Sequence, residues 1–210
     1  MKYYRGVLLV LALVVLSGCS LKSTPESAST TSNDFTSQQG KTVTAKTAEN
    51  LAKAKVQAGA WKPDAVFTGY NFKVPANLNP KSLTETFVFG SVADPDNWWT
   101  YSIDTDGKNI RAVVPKGDFL GKDLQPIQES YWKKSYVDAL IMADDNGGSV
   151  YKAKYPEAET IITLAQIQPK NWLWYIVEYR SATNNKKIRV NAYDGKIYDD
   201  NGNLVSSQSK

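Results

Sequence analysis

The sequence predicts an α+β protein in which helices pack on an antiparallel sheet, as two tandem αβββ units. Segments with apolar residues at helical spacing precede runs of β-branched and aromatic residues that alternate with polar ones. Asp-Gly and Asn-Gly pairs, which favour tight antiparallel turns, separate several of these runs. A pattern that begins at Asn97 also returns at Asn171, which indicates that one unit is used twice.

Residues 1–18 are typical of an export signal. Lys2 and Arg5 give a positive start, and Val7 to Leu16 form an unbroken apolar run. A helix of that run is about 15 Å long, half of a hydrocarbon core of about 30 Å. The run is therefore too short to span a membrane comfortably and fits a cleaved signal peptide.

The single cysteine of the chain directly follows this run, in Leu16-Ser17-Gly18-Cys19. The order of charge, apolar run and small residues before cysteine resembles the lipobox of bacterial lipoproteins. The resemblance implies that Cys19 carries a diacylglycerol, becomes the mature N-terminus and attaches the protein to the membrane. Ser20 implies the outer membrane if the organism has two membranes. The alternative is a buried structural cysteine behind an ordinary signal peptide. In either case one cysteine cannot form an internal disulfide.

A flexible tether is predicted for residues 19–47, where nearly half of the side chains after Cys19 are Ser or Thr. Such a stretch cannot bury enough apolar surface to offset the entropy of ordering it, and a flexible coil would span roughly 30 Å. An unmodified linker is the default, and a glycosylated stalk is the alternative. A second disordered segment is predicted for residues 204–210.

Two units are predicted between these segments. Residues 48–130 form the first unit, which begins with a helix at Ala48 to Ala58. Residues 131–203 form the second, with a helix at Ser135 to Ala143. Asn146-Gly147-Gly148 breaks that helix, and a short helical piece then ends at Pro156. The strand candidates are Val66 to Val74, Thr84 to Val92, Trp98 to Asp104, Ile110 to Val114, Thr160 to Gln166, Trp172 to Tyr179, Lys187 to Ala192 and Lys196 to Tyr198.

The internal match joins two predicted hairpins. Asn97, Trp98, Tyr101, Lys108, Ile110 and Arg111 correspond to Asn171, Trp172, Tyr175, Lys186, Ile188 and Arg189. The spacing differs only in the turn, where insertions are tolerated. Chance similarity of two amphipathic hairpins is the alternative.

Alternation assigns the faces of the matched strands. Trp99, Tyr101 and Ile103 share one face with their counterparts Leu173, Tyr175 and Val177. On the other face, Trp98 is followed by polar residues and is predicted to face water. Trp172, Trp174, Ile176 and Glu178 are predicted to be covered, either by the chain or by a partner. Trp98, Trp172, Trp174 and Glu178 are therefore the candidate binding residues.

The second unit resembles a PepSY domain over about residues 135–200. The segments that carry the resemblance are "DALIMADDNGGSVYKAKYP", "WYIVEY" and "IRVNAYDGKIY". Asn191 replaces the aspartate of the family's closing strand, and Asp194 replaces a threonine before Gly195. The resemblance implies a helix on an antiparallel sheet, in envelope proteins thought to bind or restrain peptidases. It supplies no catalytic residues.

Composition excludes several kinds of chemistry. The chain has no histidine, which removes the commonest general base and metal ligand. Without Lys2 and Arg5, 23 basic residues face 21 acidic ones, and no basic run is interleaved with aromatics. Neither nucleic acid, a cofactor nor a metal is therefore expected. The calcium-like segments "DPDNWW" and "DTDGKN" lack the loop spacing and are predicted to be turns.

The predicted function is non-catalytic, as an envelope lipoprotein whose folded body binds a protein or a peptide, with modulation of a peptidase as one such role. A structural role in a larger envelope assembly is the second hypothesis. A carboxylate-based hydrolase is the third, and it would need two acids held across a cleft.

Overall fold

The computed structural model describes residues 31–74, 84–118 and 124–205. The α-helices are α1 (Thr31–Trp61), α2 (Tyr136–Ala143) and α3 (Ser149–Lys154). The strands are β1 (Val66–Val74), β2 (Thr84–Ser91), β3 (Asp94–Asp104), β4 (Asn109–Pro115), β5 (Glu159–Ile167), β6 (Trp172–Arg180), β7 (Asn185–Asn191) and β8 (Ile197–Tyr198). The predicted α+β class is confirmed, and each of the eight strand candidates overlaps an observed strand.

The strands form one antiparallel sheet in the order β4-β3-β2-β1-β5-β6-β7-β8. Its centre is the pairing of β1 with β5, where Gly69 lies opposite Ala165 and Asn71 opposite Thr163. Each half of the chain therefore joins the sheet through its first strand, and the edges are β4 and the two-residue β8.

The repeat alignment does not match this arrangement. Each half contributes four strands, one more than the predicted αβββ unit. The sequence match aligns β3 with β6, but β3 is the third strand after its helix and β6 is the second. The predicted strand correspondence is therefore wrong, because the additional strand precedes the matched hairpin in the first half and follows it in the second.

Helix α1 is longer than predicted and packs on the sheet. Leu51, Ala54 and Ala58 recur at helical spacing and are buried in the core. Thr47 and Asn50 are also buried and donate hydrogen bonds to the Glu85 carboxylate. The tether prediction is wrong for residues 31–47, which are helical, since α1 begins at Thr31 and its Thr47 is fixed to β2. Residues 19–30 and 206–210 lie outside the described residues.

The second helical segment follows the predicted pattern. Ser135 caps α2, since its hydroxyl accepts from the Asp138 N–H and its own N–H donates to the Asp138 carboxylate. The helix is interrupted at Asn146 and at Gly147, whose φ of +101° favours glycine. The predicted break is therefore confirmed, and α3 follows it.

All three helices lie on one side of the sheet, where the core is. Trp99, Tyr101 and Ile103 of β3 are buried there, as are Leu173, Tyr175 and Val177 of β6. The predicted faces of both strands are therefore confirmed. The other side of the sheet is called the open face below, because no described helix packs on it.

Candidate interaction surface

Trp98 lies on the open face but is not exposed to water. Only 2% of the residue is accessible. Its ring packs on Gly90, where an added Cβ would come within 2.7 Å of the ring, and the Lys116 ammonium lies 4.2 Å from the ring centroid. The prediction that Trp98 faces water is wrong, because a glycine on the neighbouring strand and a lysine beyond β4 enclose the ring.

Trp174 is fully buried on the same face, and the chain itself covers it. Its Nε1–H donates to the Pro169 carbonyl at 3.3 Å. The rings of Trp172 and Tyr198 lie 5.6 and 5.3 Å from its ring. The predicted cover therefore exists for Trp174, and this side chain is not available to a partner.

The other two candidate residues are held by neighbours on the open face. Trp172 is half-buried, and the Lys170 ammonium lies 4.5 Å from its ring centroid. Glu178 has an ion pair with Arg180 at 3.2 Å and a longer one with Lys187 at 3.9 Å. The structure therefore groups Trp172 with Trp174, whereas three strands separate β6 from β3, which carries Trp98.

The longest exposed strand edge is β4, which the sequence analysis did not single out. Ile110 is 72% exposed and Val113 is 50% exposed, on opposite sides of the strand. The Asp104 N–H donates to the Lys108 carbonyl, which starts the ladder between β3 and β4. Because an antiparallel ladder alternates, the peptide groups of Asn109, Arg111 and Val113 point away from β3. No described strand pairs with this side of β4. A strand edge with unpaired peptide groups and apolar side chains is a template for a further strand.

A groove of about 430 Å³ runs between α1 and this edge. Its lining residues are Lys53, Val56, Gln57, Tyr101, Asn109 and Arg111. Val56 is 72% exposed, and the Arg111 guanidinium donates to the Gln57 side chain at 2.9 Å. The groove gives side chains of an added strand a place to lie beside the exposed edge.

The edge is also basic. Lys108, Arg111 and Lys116 lie within or beside β4, and the stretch from Lys108 to Lys116 contains no carboxylate. Lys53 adds a fourth positive charge from α1, although Glu49 accepts a hydrogen bond from it at 2.6 Å. An occupant with acidic side chains therefore complements this edge.

Of the two calcium-like segments, "DTDGKN" forms a turn, whereas "DPDNWW" begins strand β3, so the turn prediction is wrong for the latter because the turn lies at residues 92–93. Asp104 Oδ1 accepts from the N–H groups of Asp106 and Lys108, and Gly107 has a φ of +82°. Asp94 accepts from the Asn97 side chain at 2.8 Å. Over the described ranges, no group of three or more acidic or cysteine side chains is placed to hold a metal ion.

Comparisons with known proteins do not identify a family for this chain. No family model matches the chain, and no curated protein matches it. The PepSY resemblance of residues 135–200 therefore stays a prediction. The fold is similar to a crystal structure of a protein provisionally described as a lipoprotein from Clostridium difficile 630. The identity is 14% and the TM-score 0.42, and the match covers 71% of this chain and 90% of that chain. Among the described helices, none is long and apolar enough to cross a membrane.

Proposed function

We propose that this protein is a lipid-anchored bacterial envelope protein that binds an extended, acidic segment of another protein at β4. The observation that carries the proposal is the open β4 edge beside the basic groove. The bound segment adds a ninth strand to the sheet, so that backbone hydrogen bonds supply affinity and side-chain contacts supply specificity. The protein acts without catalysis, and a peptidase is the class of partner that the PepSY resemblance implies.

Backbone hydrogen bonds, charges and apolar contacts all contribute to the binding of this segment. Peptide groups at Asn109, Arg111 and Val113 pair with the backbone of any extended segment, whatever its sequence. Carboxylates on one side of the segment face Arg111 and Lys53, and apolar side chains on its other side contact Ile110. Binding is therefore expected to weaken with salt, since these charges are exposed.

The experiment uses the full chain in a non-ionic detergent and a labelled peptide of alternating valine and glutamate. Val113→Pro removes an outward N–H and leaves the ladder to β3 intact, because proline is tolerated at such an edge position. We expect fluorescence anisotropy to show about tenfold weaker binding, or more, for this variant. Val113→Thr keeps the N–H and the branched shape, and its affinity is expected to stay within about twofold of the original.

Two results would contradict the proposal. One is equal affinity of the Val113→Pro and Val113→Thr variants. The other is equal affinity for a peptide in which lysine replaces each glutamate. Far-ultraviolet circular dichroism of both variants checks that the sheet is retained.

The anchor is tested separately at Cys19, which lies outside the described residues. Cys19→Ala removes the sulfur that accepts the lipid, so cells expressing this variant should incorporate no labelled fatty acid into it. The variant should also keep residues 1–18, which mass spectrometry can measure. Ser23→Ala is the matched control and should be labelled and processed normally. Normal labelling of the alanine variant at Cys19 would refute the lipid anchor.

A further inference from the structure

Glu85 is a buried carboxylate within the apolar core of the first half. Its position on β2 is in phase with Phe87 and Phe89, both of which are buried. Only 9% of Glu85 is accessible. Among the described residues, no lysine or arginine forms an ion pair with Glu85. A carboxylate placed so deeply is costly unless other groups compensate for the lost water.

Three neutral donors surround this carboxylate. The Thr47 hydroxyl donates at 2.6 Å, the Asn50 amide at 2.5 Å and the Tyr70 hydroxyl at 3.0 Å. These bonds stabilise the carboxylate but bring no positive charge. Because Asn50 directs its NH₂ group to Glu85, its Oδ1 is left as a buried acceptor that has no hydrogen-bond partner among the described residues.

Asn50 and Glu85 are both among the residues that line a cavity of about 220 Å³, which opens beside α1. Phe72 and Tyr136 form an aromatic wall, with their ring centroids 4.3 Å apart, and Ile103 contributes further apolar surface. The field of the carboxylate reaches this wall: burial, and then the charge of Glu85, raises the pKa of Tyr136 to about 12. The cavity therefore combines a negative charge, an unused acceptor and aromatic rings.

We infer that this cavity binds an organic ammonium group, with Glu85 and Asn50 Oδ1 as acceptors and Phe72 and Tyr136 beside the cation. An ammonium supplies the positive charge that the Glu85 carboxylate lacks and an N–H donor for Asn50 Oδ1. Aromatic rings attract such a cation, and the apolar wall suits its alkyl part. A bare metal ion fits less well, because one carboxylate and one amide oxygen fall short of its usual ligand number.

The two other charged residues that line the cavity interact with groups outside it. Lys46 lines the mouth, but it is exposed and lies 3.7 Å from Glu49. Asp104 also lines the cavity, and its Oδ1 is occupied by two backbone N–H groups of its turn. The cavity is separate from the β4 edge, so a result that contradicts one proposal does not contradict the other.

The probe is n-butylammonium chloride, added to the full chain in non-ionic detergent and followed by nuclear magnetic resonance. We expect the side-chain amide signals of Asn50 and the ring signals of Tyr136 to shift with saturable dependence on concentration. The side-chain amide of Asn71, which donates to Thr163 on the opposite face of the sheet, is the internal control and should not move. Sodium chloride and n-butanol at equal concentrations should produce no such shift.

Glu85→Gln tests the charge, since glutamine keeps the size and still accepts from Thr47 and Tyr70. Its affinity for butylammonium should fall about tenfold or more, as expected when a charge-assisted hydrogen bond is lost. Glu159→Gln, which removes a carboxylate at the start of β5, should leave the affinity unchanged.

A pentapeptide with a central lysine distinguishes a protein side chain from a free amine as the source of the ammonium. Tighter binding of the peptide than of butylammonium identifies a lysine side chain, and the reverse order identifies a small amine. Absence of shifts in the unaltered chain, or equal shifts with n-butanol, would overturn the inference even if the Glu85 variant fails to fold.

Discussion

Replacing Trp174 with alanine is expected to lower the free energy of unfolding by about 3–5 kcal/mol, the usual cost of emptying a buried tryptophan site. Trp98→Ala is expected to cost a similar amount. The reason is burial in both cases: Trp174 is inaccessible and Trp98 is 2% accessible. Chemical denaturation followed by circular dichroism measures both effects without relying on tryptophan fluorescence.

Tyr193→Ala is the control for these two variants, because Tyr193 is 56% exposed and an exposed change usually stays within about 0.5 kcal/mol. A Trp98 variant as stable as the Tyr193 variant would show that Gly90 and Lys116 do not enclose the ring.

The second large effect is expected for Gly148→Ala, at the junction of α2 and α3. An added Cβ would lie 2.1 Å from the Tyr179 hydroxyl oxygen and 2.8 Å from an Asp144 carboxylate oxygen. The same hydroxyl donates to Asp144 at 2.6 Å, so the methyl group has to displace a buried hydrogen bond. Overpacking of this kind costs about 1–3 kcal/mol, and loss of the bond adds about 1 kcal/mol.

Gly59→Ala is the matched substitution in α1, where nothing lies within 4 Å of the added Cβ. Alanine is the better helix former by about 1 kcal/mol, so this variant should be more stable than the original chain. Thermal denaturation compares the two alanines directly. A Gly148→Ala variant that melts no lower than the original would mean that Tyr179 and Asp144 are not held against the helix break.

Local patterns explain why the strands could be predicted. Alternation places Trp99, Tyr101 and Ile103 on one face, and Gly107 and Gly195 supply positive φ at turns. These signals lie within a few residues of the feature they specify. The helix break at Gly147 was predictable for the same reason.

The remaining features depend on residues that are distant in sequence. Gly90 and Lys116 both contact the buried ring of Trp98, and the alternation of residues within β3 predicts neither contact. Thr47 belongs to the folded body because Glu85 accepts its hydrogen bond, across 38 positions. The position of β4 at an edge can be recognised only from the order of the strands in the sheet, and no local sequence pattern specifies that order. The burial of Glu85 could have been predicted from the sequence, because this carboxylate alternates in phase with two phenylalanines that are buried on the same face of β2.

The central pairing of β1 with β5 also affects the order in which the chain can fold as it is synthesised. A chain is synthesised from its N-terminus, so the first half emerges while β5 is still absent. During that interval one side of β1, nine residues long, has no partner, and its pairing across Asn71 and Thr163 waits for a segment 92 positions later. Contacts this distant form slowly. The nascent first half therefore exposes a second unpaired strand edge besides β4, and it is most prone to aggregate before β5 has been made.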